Sequence, residues 1–443
     1  MAQKENNYRL STFSITSIVV SLIIGMGIFK TPSLTAASSG TQTIFFLVWI
    51  IGGIIAFSGA ITFSEIGKRM PVTGAFYRIF AACYHPSIGF SINILILIAN
   101  AASLGIVALI GSDYVGDFLY NQPPKSSFSI IVSILSIFIF YILNLAGLKS
   151  SSYVQNILTI LKVALILILI TAIFGDYSVQ PRGYESGDIS VYNGSNGIYL
   201  LWLSLIPVCF TYGGYQQTIN FGGELKDLKN LSTGIFRGIL IVLFLYLSLN
   251  FAYVQVIGFE NMKNASAIGA ILFEAIFGKM GGKIFDLAMF LSVLAYVNVS
   301  LLMNPRIMVA MSKDKVLPSF IQKIHPKTGS YFIALSIFAA LTMFIVFIGK
   351  GVDNILGFTM FLDSLGMCTA AFTLFVLRKK KIGNQYINGD NKWYVPVLAS
   401  FFVTLYALVA IAVFFKSPIS ALIGVILLSI FLAIYFVDKM KLN

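Results

Sequence analysis

Charged residues divide this chain into long apolar blocks. Stretches free of Asp, Glu, Lys and Arg run from Leu10 to Phe29, Thr31 to Ser64, Pro86 to Ser112, Ser126 to Leu148, Ile189 to Gly223, Gly238 to Phe259, Leu287 to Pro305, Thr328 to Gly349, Trp393 to Phe415 and Ser417 to Val437. Two more, Ser151 to Gly175 and Asn354 to Leu377, are each interrupted by a single ionisable residue, Lys162 and Asp363. A helix needs about 20 apolar residues to cross a hydrocarbon layer ~30 Å thick, so the pattern predicts twelve transmembrane helices. An even number returns both termini to one side of the membrane.

Composition agrees. With 58% hydrophobic and 11% charged residues over 443 positions, no soluble core could hide the apolar side chains. With a cytoplasmic N-terminus, 21 of the 30 Lys and Arg fall on the inside, eight outside, and Lys162 within a span. The net charge of +13 is then the positive-inside signature of a multi-pass cell-membrane protein with both termini in the cytoplasm. It does not indicate nucleic acid, because basic residues spread over every cytoplasmic turn form no stripe along a phosphate backbone. The first apolar span lacks a small-residue cleavage site and reads as a retained helix. Cys83 falls in a turn, Cys209 and Cys368 inside spans, so no external disulfide framework is expected. His85 and His325 lie in separate turns and suggest no metal site, and nothing in the sequence asks for a cofactor.

No soluble domain interrupts the chain; the longest polar segments, Asp176 to Asn196 and Arg378 to Lys392, are connections. The organisation is instead a weak internal symmetry. Glycines interrupt the first span at Gly25-Met26-Gly27 and the sixth at Gly213-Gly214, five spans apart. That is the spacing of two inverted five-helix repeats, whose discontinuous helices meet at a midplane site. The repeats would cover about 10–175 and 199–377, with two extra helices at about 393–437.

The glycines carry the candidate chemistry. From Leu10 to Gly25 a helix rises roughly 22 Å at ~1.5 Å per residue, which places Gly25 in the central third of the bilayer. Backbone groups freed there are tolerated only where they line a cavity. Gly25 and Gly27 could both take positive φ and present N–H groups at the start of an outer half-helix, where a carboxylate would bind. The alternative is a small-residue packing seam; the matching break in span six favours the functional reading. Unwinding at Gly213-Gly214 would free carbonyls suited to an ammonium group, flanked by Phe210, Tyr212 and Tyr215. Lys162 lies near the midplane, too deep to reach either surface, and needs carbonyl partners or gives up its proton. It reads as a fixed cation in the space of a sodium ion, a proton carrier, or a vestibule residue. Asp363 is a second mid-membrane charge, either a proton site or a structural residue.

These residues resemble a family. Ser21 to Phe29, Glu65 followed by Pro71 to Tyr77, Phe210 to Tyr215 with Glu224 to Asn230, and Asn304 to Pro318 are similar, in order, to segments of the amino acid-polyamine-organocation superfamily, above all its L-type (LAT-like) amino acid transporter branch. The resemblance implies an all-α LeuT-type fold with discontinuous helices 1 and 6. It implies that the substrate carboxylate meets N–H groups of Gly25, Met26 and Gly27, and the amine meets carbonyls of Ile23, Phe210 and Gly213, with Phe210 as gate. Tyr215 stands where a tryptophan is usual, Met26 where serine is common, and Ala75 replaces a glycine of the cytoplasmic turn. Lys162 matches a fifth-helix lysine that bridges helices 1 and 8 in place of sodium. Animal relatives hold a glycoprotein subunit through an external cysteine after the third span; Asp113 to Phe128 contains none, so no disulfide-linked heavy subunit is expected.

The sequence thus describes a carrier of neutral, small to medium L-amino acids working by alternating access, as a sodium-independent exchanger (antiporter) or proton-coupled. On this reading no charged side chain is placed to recognise a third group, and Gly25→Val should abolish binding by adding a Cβ where positive φ is required and by crowding the carboxylate. A polyamine or cationic amino acid carrier is the alternative, for which only Asp363 could serve. A polytopic membrane enzyme would need clustered His, Asp or Glu, and a sensor an appended domain; neither is visible.

Overall fold

The computed structural model describes residues 11–71, 75–120, 125–146, 148–175, 177, 197–220, 227–265, 268–349, 352–387 and 392–442. Parts of the motifs at Pro71 to Tyr77 and Glu224 to Asn230, and nearly all of the Asp176 to Asn196 connection, lie outside them. Among the described residues every regular element is helical: α1 Thr12–Ile23, α2 Gly27–Ser39, α3 Gln42–Arg69, α4 Ala75–Cys83, α5 Pro86–Tyr120, α6 Ser126–Leu145, α7 Leu148–Ile170, α8 Gly197–Tyr212, α9 Leu228–Ile257, α10 Phe259–Met262, α11 Ile268–Phe277, α12 Lys279–Lys313, α13 Phe332–Gly349, α14 Val352–Lys379, α15 Tyr394–Lys416 and α16 Pro418–Leu442.

Nine of these, on the described residues, are long and apolar enough to cross a bilayer, and α1 with α2 makes a tenth, bent by 46° at its break. The apolar helices 160–174, 268–277 and 332–348 are shorter, so length and composition do not reach the expected twelve. Two boundaries also move. The first span does not end at Phe29 but continues through Lys30 to Ser39, and the next begins at Gln42 rather than Thr31. A single lysine one turn into a helix does not stop it; the chain turns at Gly40, whose φ is +68°, and Thr41 Oγ1 then accepts the Ile44 N–H at 3.3 Å to cap α3.

α1 packs along α9, α2 along α8, and α5 against α12 and α14. The α1–α9 seam is tight because Gly234 and Gly238, one turn apart, receive Ile15 and Val19: a Cβ at either glycine would stand within 2.7 Å of the facing Cβ. The small-residue packing offered as the alternative for Gly25 and Gly27 is present on α9, and at Gly27 as well, where an added Cβ would stand 2.8 Å from Thr211 Oγ1.

One end of the bundle is tied by charge. Glu65 of α3 accepts from Arg69 Nε at 2.8 Å and from Arg378 of α14 through Nε at 2.8 Å and Nη2 at 2.6 Å. Arg69 also donates to Asn384 Oδ1 at 2.8 Å and the Ile382 carbonyl at 3.1 Å. Charge-assisted bonds from two guanidinium forks satisfy a carboxylate that would be costly to bury alone. Arg78 of α4 pairs with Asp314, just after α12, at 3.2 Å.

Candidate functional site

At the first break the helical ladder stops within three residues. The Ile24 N–H still reaches the Val20 carbonyl at 2.9 Å, but the Gly25 N–H turns to the Ile23 carbonyl at 2.8 Å, and helix resumes at Gly27. Met26, at the N-cap, has φ −70° and ψ −19° and makes no side-chain capping bond. The first N–H groups of a helix have no intrahelical acceptor, so α2 presents an uncapped, positively polarised end. Neither Gly25 nor Gly27 has a positive φ, contrary to the sequence expectation. The break is a short stretch of non-repeating backbone rather than a left-handed turn.

The second break does require glycine. α8 ends at Tyr212, the Gly213 N–H folds back to the Phe210 carbonyl at 3.1 Å, and Gly214 adopts φ +115° before a 3₁₀ turn over Tyr215–Asn220. The Gly214 N–H is taken by Gln216 Oε1 at 2.8 Å. The breaks pack on each other: a Cβ at Gly214 would stand 2.5 Å from the Leu22 carbonyl oxygen, and one at Gly27 would stand 2.8 Å from Thr211 Oγ1. Three side chains staple them. Tyr246 of α9 donates its hydroxyl to the Ile23 carbonyl at 3.0 Å, with the Thr211 carbonyl at 3.4 Å, and the hydroxyls of Thr31 and Thr211 are 2.7 Å apart. Tyr246 carried no signal in the sequence, where it is one aromatic among many in an apolar span.

Between the breaks lies a cavity of about 120 Å³. Ile23, Gly25, Met26, Gly27, Phe210 and Gly213 line one side. The Ile23 oxygen, however, already accepts from Gly25 and Tyr246, which fills both its lone pairs. The Phe210 oxygen accepts only the Gly213 N–H in the described backbone and keeps one. The opposite wall is polar and comes from α5, α12 and α14: Asn100 donates to Asn304 Oδ1 at 2.6 Å, and Ser103 meets the Tyr296 hydroxyl at 3.0 Å. Asp363 of α14 also faces this cavity, and among the described residues no hydrogen bond or ion pair holds its carboxylate. A charged group is therefore placed within the site, which the sequence reading did not foresee.

One residue expected at the substrate site stands elsewhere. Tyr215 is fully buried away from the cavity, its ring edge-to-face with Phe63 at 6.2 Å, because the 3₁₀ turn after Gly214 rotates it toward α3. Lys162 lies behind the first break. It is 1% exposed, and its Nζ donates to the Ser21 carbonyl in the last turn of α1 at 3.2 Å and to the Ile24 carbonyl just past its end at 2.8 Å. Its helix α7 also packs against α12, the eighth span of the sequence reading. Among the described residues no group of three His, Cys, Asp or Glu could hold a metal.

The amino acid permease family model matches residues 10–436. The chain is 28% identical over 405 residues to the serine/threonine exchanger SteT of Bacillus subtilis (strain 168), covering 88% of this chain and 89% of that one. It is 28% identical over 382 residues to the large neutral amino acids transporter small subunit 2 of Mus musculus, covering 83% and 70%. To the Asc-type amino acid transporter 1 of Mus musculus it is 23% identical over 430 residues, covering 96% and 79%. The chain belongs to the amino acid permease family.

Proposed function

We propose that this amino acid permease exchanges neutral L-amino acids across the cell membrane by alternating access around the cavity between its two broken helices. The observation that carries the reading is the uncapped start of α2 facing a cavity whose far wall is polar. The α-carboxylate sits on the N–H groups of Met26 and Gly27, drawn by the half-helix dipole. The α-ammonium takes the remaining lone pair of the Phe210 carbonyl and the carbonyl of Gly213, with the Phe210 ring closing over it. Those two ends are common to every amino acid. Selection falls to the far wall, where Asn100, Ser103 and Asp363 accept a hydroxyl and leave little room for a large side chain. The relatives named as a serine/threonine exchanger and a neutral amino acid transporter support this choice.

Twelve spans in two inverted repeats, at about 10–175 and 199–377, fit the two breaks; α15 and α16 stand outside them. Both termini are cytoplasmic on the charge bias, which puts the Glu65–Arg69–Arg378 cluster at the cytoplasmic end. Lys162 fixes the end of α1 from behind and makes a sodium ion unnecessary there, while Asp363 is the group through which a proton could be coupled. No catalytic step is involved, and the single chain suffices without a disulfide-linked subunit.

The test is counterflow into proteoliposomes loaded with unlabelled serine. Labelled serine should enter, with threonine and alanine competing strongly and lysine, arginine and putrescine weakly. The second reading, a carrier of cations, is favoured by the open carboxylate of Asp363 alone; stronger competition by the cations would establish it in place of the first.

A further inference from the structure

We propose that Asp286, two turns into α12, takes up a proton when the α2 side of the substrate cavity closes, so that closure on that side responds to pH. The closed side is built around one aromatic ring. Phe285 is fully buried, and its ring centroid lies 5.9 Å from that of Phe29 on α2, 6.2 Å from Tyr114 on α5 and 5.6 Å from Phe273 on α11. Phe29 follows Gly27 by half a turn, and Tyr114 follows Val107 by two turns; Gly27 and Val107 both line the cavity. The aromatic layer therefore sits just past the cavity along both helices. α11 is drawn in closely, since a Cβ on Gly269 would stand 2.3 Å from the Phe285 ring. Ser33 of α2 adds a tie, its hydroxyl donating to the Ala265 carbonyl shortly before α11 at 2.6 Å.

Closing this layer buries a carboxylate that has no donor. Asp286 is 7% exposed, its Oδ1 is buried without a partner, and among the described residues no hydrogen bond or ion pair holds the group. Asp117 and Tyr114 face it from α5, and Glu274 faces it from α11. Glu274 also has a partner elsewhere, yet none of the three brings a positive charge. Lys30 of α2 faces Asp113 and Asp117. Lys279 and Lys283, on the same helix as Asp286, make no ion pair with it among the described residues. Tyr253 of α9 faces Tyr114, and the hydroxyls of both tyrosines are likewise buried without a partner. A carboxylate out of water with no donor costs far more than the neutral acid. A proton from the solution on the α2 side removes that penalty.

Moving α2 and α11 away from α12 returns Asp286 to water, where the proton leaves. Acid then favours the closed arrangement and base the open one. A single proton taken up per closure shifts the equilibrium by at most about tenfold per pH unit. Asp286 does not line the substrate cavity, whereas Asp363 does, so the two acids answer to different signals: the solution on the α2 side for the first, the cavity for the second.

The test is hydrogen–deuterium exchange mass spectrometry on the purified full-length protein in detergent without substrate, with rates corrected for the intrinsic pH dependence of amide exchange. Peptides from α2 and the first half of α12 should gain protection as the pH falls through roughly 8 to 6, by up to about tenfold per unit. Asp286→Asn should hold them protected at every pH, with Asp286→Ser in its place if the asparagine variant does not fold. Asp286→Glu should keep the dependence, and Asp363→Asn should not change it. No transport is measured, so the result is independent of which amino acid is carried. Protection that does not vary with pH in the native protein, or a dependence that survives in Asp286→Asn, would overturn the proposal. Loss of the dependence in Asp363→Asn would place the proton in the cavity and overturn it as well.

Discussion

Alanine at Gly27 should drive the two broken helices apart, whereas alanine at Gly25 should leave their packing intact. A Cβ built on Gly27 stands 2.8 Å from Thr211 Oγ1, 2.9 Å from Thr211 Cγ2 and 3.1 Å from Thr211 Cα. Carbon pairs rest at about 3.5–4.0 Å, so the overlap is roughly half an ångström or more at both carbons. Thr211 cannot swing away easily, because its hydroxyl is 2.8 Å from the Pro207 carbonyl and 2.7 Å from the Thr31 hydroxyl, and its Cα is backbone. Overpacking of this kind costs about 2 kcal/mol, or a factor of roughly 30 in the folding equilibrium. At Gly25 the nearest atom to an added Cβ is the Ile23 oxygen at 3.9 Å, an ordinary contact. Gly25→Ala should therefore fold normally and lose substrate affinity by intruding on the carboxylate site; Gly25→Val should fold and fail to transport through crowding, not through backbone strain. Thermal unfolding in detergent and serine counterflow separate the two effects. Adding Thr211→Ala to Gly27→Ala removes two of the three close contacts and should recover about 1 kcal/mol in a double-mutant cycle. Native stability and transport in Gly27→Ala, or a larger stability loss at Gly25, would refute the packing argument.

Native counterflow should proceed undiminished in sodium-free buffer, and Lys162→Ala should slow it tenfold or more, since a charged donor to two carbonyls is worth about 1.5–3 kcal/mol; a sodium requirement in the native protein sinks this role. Asp363→Asn should weaken serine and threonine relative to alanine by about tenfold, measured as competition ratios, and an equal loss for all three would remove Asp363 from substrate selection. Glu65→Gln leaves two guanidinium groups facing a neutral amide and should cost about 3 kcal/mol, seen as a lower Tm; an unchanged Tm means the cluster contributes nothing. The purified single chain should be active on reconstitution, and a preparation inert until a second subunit is added would contradict its sufficiency.

Much of this protein was legible before folding, because the features concerned are properties of the chain itself. Apolar blocks bounded by charge require membrane helices, and glycines within such blocks mark where backbone groups can be left open. Lys162 and Asp363 stood out for the same reason, as charges where the pattern admits none. What the sequence could not supply is rotation about the helix axis. Helices that are apolar all round do not encode which face turns inward, so nothing in the text of α14 said that Asp363 faces the cavity, or in α8 that Tyr215 turns to Phe63 instead. The same limit hid Tyr246, whose hydroxyl takes the Ile23 carbonyl that the family resemblance implied for the substrate amine. Among the glycines of the two breaks only Gly214, pressed against Leu22, has the positive φ that glycine alone adopts readily. Apolar blocks and charge are local along the chain, while a cavity lined from α1, α2, α5, α8, α12 and α14 depends on lateral contacts between residues hundreds of positions apart.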